Sequence, residues 1–364
     1  MAAALIVVAA AINAFSAIRY GADFRDFVSG GLRFIAGTNL YEGSGAYNGM
    51  IGPPFQGLFH APFAAIVSAN HSVGIAVWAT AIFAAFIYGV RVWAGVFRLP
   101  ATSPAVFVPI LVVWFPIYRE FQSQNMTAIL FLVAGLSARA LVERRETAAG
   151  AWMGFAAALK LFPALALGYF LFRGRRRIVI ASFVTAAVLT LIPIVRYGIG
   201  GFIALWREWL ITRQVNAWPP DFQSQSLPHV VRILWPGDMR AQVATAVFLL
   251  IAATVALVAL LRSRRESQIE AGEEMAFVTL AAFLASPIAW ICYWMLAIPG
   301  LMAISRDAET SRRARVALLF CGVLGAGIGP LVRDHPRGEY LPIALLLFVY
   351  LIYRLRPGVS SVAN

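Results

Sequence analysis

Asp23 and Asp26 stand just beyond the first apolar segment, "MAAALIVVAAAINAFSAI", in the stretch "YGADFRDFVSGGLRFIAGTNLY". A carboxylate beside a membrane-embedded cavity can take the proton of a hydroxyl nucleophile, which makes the pair candidate general bases. The same two acids also suit a solvated end to the first apolar segment, balanced by Arg19 and Arg25. Lys160 is the second candidate. Of the 30 lysine-plus-arginine positions it is the single lysine, set within "FAAALKLFPALALGYF". An ionisable group at that depth is costly and faces a partner or a wet cavity, unless its stem carries the charge to the surface. Its ammonium suits a lipid phosphate or a carboxylate. "YREFQSQN" gathers Arg119, Glu120, Gln124 and Asn125 between two apolar runs, a pattern that also fits a plain polar turn. "DFQSQSLPH", with Gln225 and His229, concentrates hydrogen-bonding groups that suit a sugar or a capped turn. Trp290, Tyr293 and Trp294 after "SPIA" read as belt or packing aromatics, and His335 is a lone loop histidine.

The elements that must position these groups are apolar helices. The chain has 364 residues, 60% hydrophobic and 13% charged, whereas soluble domains carry about 25% charged residues. Mean hydropathy is +0.76. Apolar runs of spanning length recur throughout. The expected fold is an all-α polytopic membrane protein with about 12 transmembrane helices. Those spans are 2–19, 53–69, 73–97, 104–118, 124–142, 148–172, 177–197, 241–261, 273–289, 291–305, 314–331 and 339–355. The first lacks a basic flank and reads as a retained helix rather than a cleaved signal. Cys292 and Cys321 both fall inside spans, as small buried hydrophobes do.

The net charge is +13. Its arginines cluster in short connectors at 173–177, 262–265 and 306–315, which is the positive-inside signature and not a nucleic-acid-binding module. Simple alternation puts both termini in the cytoplasm and the two longest polar loops, 20–52 and 198–240, together on the opposite face. "FVSGGLRFIAG" and "GFIALWREWLITR" suit short interfacial helices in those two loops. The connector "RALVERRET", residues 139–147, disagrees: alternation makes it external, although three arginines less two glutamates leave it at +1. Breaking 148–172 into a hairpin near Pro163 would move it inside; simple alternation is the expectation carried forward.

The order of motifs carries a resemblance. "DF" follows the first span, then come "GLRFIAGTNLY", "GPPFQGLFHAPFA", "QSQN", "GFAAALKLFPALALGYFLFRGRRR", "QSL" and "SPIAW". The chain resembles the bacterial polytopic glycosyltransferases of family 87 over nearly its whole length. That resemblance implies the GT-C fold and a polyprenyl-phosphate sugar donor, commonly mannose. It places the first-loop aspartate of the family on Asp23, the membrane lysine on Lys160, and a Gln-x-Asn-like pair on Gln124 and Asn125. Three places depart from the family pattern. Gly52 replaces an aromatic before two prolines, Ser224-Gln225-Ser226 replaces "NQS", and Ile291, Cys292 and Tyr293 replace an acid and histidines. Whatever those histidines contribute in the family, this chain lacks it or draws it from His229 or His335.

The implied organisation is a GT-C-like catalytic module over 1–197, an external loop over 198–240 and C-terminal spans over 241–364. The implied enzyme sits in the bacterial cytoplasmic membrane with its site toward the outer face. Asp23 is the implied base, in an inverting transfer to a lipid or glycan acceptor. The cation for the leaving phosphate is Lys160, Arg25 or Arg232, and Asp26, Gln124, Asn125, Gln225 and His229 are further binding candidates. No nucleotide, metal or other cofactor is expected. A transporter or flippase of a lipid-linked substrate is the alternative, one that Lys160 and a proline-broken helix would also suit.

Overall fold

The computed structural model describes residues 21–42, 52–215, 271–286, 289–308, 311–331 and 340–354, and all regular elements among them are helical. Short helix α1, Ala22–Ala36, precedes α2, Pro54–Ala69, and α3, His71–Val96. A bent pair follows, α4, Pro104–Val112, and α5, Trp114–Ser123, then α6, Thr127–Val142, and α7, Glu146–Leu159. A 3-10 turn, Phe162–Ala164, leads into α8, Leu165–Phe172. Next come α9, Arg176–Leu191, and α10, Ile194–Val215. Beyond the gap lie α11, Ala271–Leu284, a 3-10 segment, Ile291–Ala297, and α12, Ile298–Asp307. The last two helices are α13, Arg312–Leu331, and α14, Leu341–Arg354.

Close contacts fix the direction of each rod. Trp78 donates to Gln124 O at 3.0 Å, and further along Trp93 donates to Phe131 O at 3.1 Å, so α3 and α6 run parallel. Ser137 donates to Ala149 O at 2.9 Å, where α7 starts back alongside the last turns of α6. A Cβ on Gly150 would stand 2.3 Å from Ile178 O, and one on Gly154 2.3 Å from Ser182 O. Thus α7 and α9 are parallel and nearly touch through their backbones, the small-xxx-small contact that membrane helices favour. Two parallel helices joined by α8 require α8 to run back between them. Arg175, after α8, indeed lies 3.6 Å from Glu146 at the start of α7.

This hairpin corrects the expected topology. Span 148–172 is not one rod: it breaks at Lys160, whose backbone is extended at φ −142°, ψ 129°. Pro163 explains the break, because it has no N–H for Leu159 O and its ring would strike that carbonyl. Connector 139–147 therefore shares an end of the bundle with Arg173–Arg177, and the apparent exception to the positive-inside pattern disappears. Span 53–69 is also corrected. Val67 meets Gly74 and Phe63 meets Trp78 in the first turns of α3, while Gln56 meets Met126 at the head of α6. Both ends of α2 thus lie at the same end of the bundle.

The described residues contain one helix, His71–Val96, long and apolar enough to cross a bilayer alone. Two bent pairs pass the same test, Pro104–Val112 with Trp114–Ser123 at 66° and Arg176–Leu191 with Ile194–Leu210 at 94°. Expected spans 124–142, 273–289 and 339–355 fall on helices of 14 to 16 residues and 314–331 on the 20-residue α13, while 2–19 and 241–261 lie outside the described residues. Bare apolar side chains such as Phe183, Leu319 and Val349 cover the outside, as in a protein bathed in lipid. The second arm of the 94° pair contains "GFIALWREWLITR" and packs on the first loop: Leu40 and Tyr41 bury against Leu205 and Trp209, and Asn39 donates to Glu208 at 2.5 Å. The two expected interfacial helices are therefore neighbours.

At the other end, Glu274 of α11 is fully buried and accepts from Tyr169 at 2.9 Å, Arg173 at 3.3 Å and Arg175 at 3.0 Å. Arg306 meets Glu273 at 2.8 Å. These pairs clamp α8, α11 and α12 where the chain is most basic. The α7–α9 contact gives a direct check. Gly154→Leu is expected to lower the thermal midpoint in detergent, by an overpacking cost of about 1–3 kcal/mol. Gly168→Ala, where an added Cβ meets nothing within 4 Å, is expected to leave the midpoint unchanged or slightly raised.

Candidate active site

Asp23 sits in the first turn of α1, where the helix dipole favours an acid. Two ring stacks lock that turn. Phe24 lies on Trp78 at 5.1 Å and 6°, and Phe27 lies on His60 at 4.4 Å and 21°. The neighbouring apolar side chains being fixed, Asp23 turns toward the head of α6. Its Oδ2 accepts from Asn125 Nδ2 at 2.6 Å.

Asn125 cannot turn away. Its Oδ1 accepts from Met126 N at 2.7 Å and Thr127 Oγ1 at 3.4 Å, which leaves Nδ2 to face the carboxylate. The turn itself is unusual, with Gln124 left-handed at φ 59°, ψ 42°. Non-glycine residues rarely hold that conformation without support. Trp78 supplies it through Gln124 O, and buried Glu120 supplies more. The Glu120 carboxylate accepts from Ala128 N at 2.8 Å, and its backbone carbonyl accepts from Gln124 N at 2.8 Å. Gln124 itself turns its side-chain amide back to Phe121 O. It shapes the turn by its backbone rather than reaching Asp23.

Lys160 arrives from the break between α7 and α8. Its ammonium donates to Tyr293 Oη, and its charge acts on both Asp23 and Glu120. Tyr293 comes from the 3-10 segment after Trp290, and its ring packs against Phe162 at 5.4 Å. Thr127 also reaches Cys292 Sγ at 3.5 Å. Three interruptions of helix, at 124–126, 160–164 and 289–293, therefore meet beside Asp23. Burial raises the Asp23 carboxyl above its ordinary 3.8; the Asn125 hydrogen bond and then the Lys160 charge pull it part of the way back.

Asp23, Asn125 and Lys160 are thus brought together as the sequence suggested. Arg25 is exposed on α1, and residues two apart on a helix do not share a face. Asp26 is half-buried one turn further along. Gln225, His229, Arg232 and His335 lie outside the described residues. Tyr293, expected as belt or packing, instead holds Lys160, and Glu120, expected in a polar turn, is a buried strut. The signal for Tyr293 was its place among the residues standing where family 87 has an acid and histidines. Among the described residues no three His, Cys, Asp or Glu side chains converge to hold a metal ion.

The profile of glycosyltransferase family 87 matches residues 51–287. The chain belongs to that family. The matched stretch contains Glu120, Asn125 and Lys160, and Asp23 lies upstream of it. The chain is also similar to the polyprenol-phosphate-mannose-dependent alpha-(1-2)-phosphatidylinositol mannoside mannosyltransferase of Mycobacterium tuberculosis (strain ATCC 25618 / H37Rv), at 24% identity over 330 residues, 82% of this chain and 74% of that protein. No solved structure matches it. The structure of this family 87 member sets a desolvated carboxylate and an ammonium at one point of a bundle with an apolar exterior.

The Asn125 contact sets up a test of that carboxylate. Asn125→Ala removes a donor that favours ionised Asp23, so the acid limb of the pH–activity profile is expected to move to higher pH. Asn125→Asp puts a like charge there and is expected to move it further. Profiles of glycosyl transfer on both variants check the order.

Proposed function

We propose that this family 87 enzyme transfers a hexose, mannose by its likeness to the mycobacterial protein, from polyprenyl phosphate to a hydroxyl of a lipid or glycan acceptor. The observation that carries the reading is the Asp23–Asn125 contact at 2.6 Å beside the Lys160 charge. In the proposed reaction Asp23 takes the acceptor hydroxyl proton as that oxygen attacks the anomeric carbon from the face opposite the phosphate. The bond from anomeric carbon to phosphate oxygen breaks, its electron pair leaves with polyprenyl phosphate, and the configuration inverts. The leaving phosphate gains negative charge, and a cation already in place lowers that barrier without reorganising. Lys160 takes this role ahead of exposed Arg25 and of Arg232.

Asn125 keeps the carboxylate aimed, and Tyr293 holds the ammonium until the phosphate replaces its hydroxyl. A carboxylate whose proton affinity is raised by burial is a stronger proton acceptor than an exposed one. The sugar and phosphate sit beneath α1 and α10, and the prenyl tail lies along the apolar helices. Arg98, the 139–147 connector and Arg173–Arg177 all gather at the end away from Asp23. By the positive-inside rule this supports placing the Asp23 end toward the outer face of a bacterial cytoplasmic membrane.

The test uses membranes supplied with polyprenyl-phosphate mannose and a lipid acceptor, with product mass read by mass spectrometry. Asp23→Asn is expected to lose about 10²–10⁴-fold in turnover. Wild-type transfer by this variant in folded form would remove Asp23 from the base role. Lys160→Met is expected to lose about 10²-fold or more. It also deletes a charge that lowers the Asp23 value. Activity falls as pH drops through that value, so the acid limb of Lys160→Met is expected at higher pH than in the wild type.

A further inference from the structure

A second site lies at the basic end of the bundle. The turn after α6 and the turn after α8 border a cavity of about 730 Å³, lined by Arg144, Arg145, Arg175 and Arg177 with one acid, Glu146. Two of these arginines are committed elsewhere. Arg145 pairs with Glu143 at 3.1 Å, and Arg175 pairs with Glu274 at 3.0 Å and Glu146 at 3.6 Å. Arg144 and Arg177 are exposed and make no ion pair among the described residues. The heads of α7 and α9 open beside this cavity, and neither has a side-chain cap. Their dipoles add to the positive field.

The surroundings indicate what the anion is attached to. Val142, Phe172 and Ile180 are exposed, and each lies two or three residues along the chain from one of the four arginines. Leu141, Ala148 and Ala151 line the cavity itself; a soluble anion has no use for such apolar walls, whereas acyl chains do. We propose that this cavity binds the phosphate of an anionic phospholipid, clamped between Arg144 and Arg177, with its acyl chains along those apolar residues. Guanidinium is suited to the task, since its planar fork meets two phosphate oxygens at once. A lipid held there bridges both ends of the α7–α8 hairpin that carries Lys160. The site is about 20 Å along α7 from Lys160 and is separate from the transfer centre.

The experiment uses the full chain in neutral detergent and native mass spectrometry, with dioleoyl phosphatidylglycerol, dioleoyl phosphatidylcholine and inorganic phosphate as probes. The wild type is expected to retain one phosphatidylglycerol in preference to phosphatidylcholine. The double variant Arg144→Gly with Arg177→Gln is expected to bind it about tenfold or more weakly. Arg144 is left-handed at φ 58°, so glycine there relieves the turn, and the loss cannot be put down to misfolding. Arg312→Gln with Arg313→Gln removes equal charge from α13 and is expected to leave retention unchanged. Equal retention of the two lipids, unchanged binding by the double variant, or equal loss in the α13 control would overturn the proposal. Displacement of phosphatidylglycerol by millimolar inorganic phosphate would also overturn it, in favour of a free-phosphate site.

Discussion

An ammonium and a carboxylate taken out of water must each find polar partners, or the bundle that buries them does not hold. Unbroken helices cannot supply those partners, because their backbone groups are already spent on one another. In this protein they come from places where helices stop. The left-handed turn at Gln124, the extended residue Lys160 and the segment after Trp290 each free backbone and side-chain groups. All three fall at one level of the bundle. Asp23 is presented to that level by a short helix whose aromatic residues are stacked in place. The position of the chemistry thus follows from where the rods end.

Asp23 and Lys160, which the structure brings near one another, stood out in the sequence because their types were out of place. A lone lysine in an apolar run and an aspartate at the edge of one both stand against their surroundings. Helix directions were not legible. Hydropathy cannot distinguish a kink from a reversal, and "LKLFPAL" reads the same for either. The charge of connector 139–147 left a hairpin open, and the backbone contact of Gly150 and Gly154 with α9, with Arg175 near Glu146, shows that α8 turns back. Segment 53–69 misled for a related reason. α2 is pressed between α1 and the heads of α3 and α6, so it is apolar on several sides, as a spanning helix would be. Tyr293 was hidden among aromatics, since composition shows the ring and not which group its hydroxyl meets.

The reversal at Pro163 joins the two ends of the molecule. It puts Lys160 at the tip of a hairpin whose open ends are tied by buried Glu274, Arg173 and Arg175. A buried acid with two guanidinium partners and a tyrosine is fully hydrogen-bonded, the condition under which such a group fixes one arrangement of its neighbours. The tip carries the Lys160 ammonium on the Tyr293 hydroxyl, near the Asp23 carboxylate. Arginine–carboxylate pairs thus gather at the basic end, and Lys160, Asn125 and Asp23 at the other.

That contrast accounts for the use of arginine everywhere except at residue 160. At the basic end charges must be permanent and must meet carboxylate or phosphate with two oxygens at once, which the guanidinium fork does. In the proposed reaction the cation at the tip passes from a tyrosine hydroxyl to a phosphate, in space that also admits a sugar. A compact ammonium on a flexible stem has three rotatable donors and no planar fork to realign. In the extended backbone at Lys160 the side chain is also freed from the helical surface. Guanidinium in its place would bring the same charge with a larger, fixed geometry beside Tyr293 and Phe162. Under the proposed reaction the single lysine serves to hand the charge over, and the proline after it places that lysine at the end of a rod.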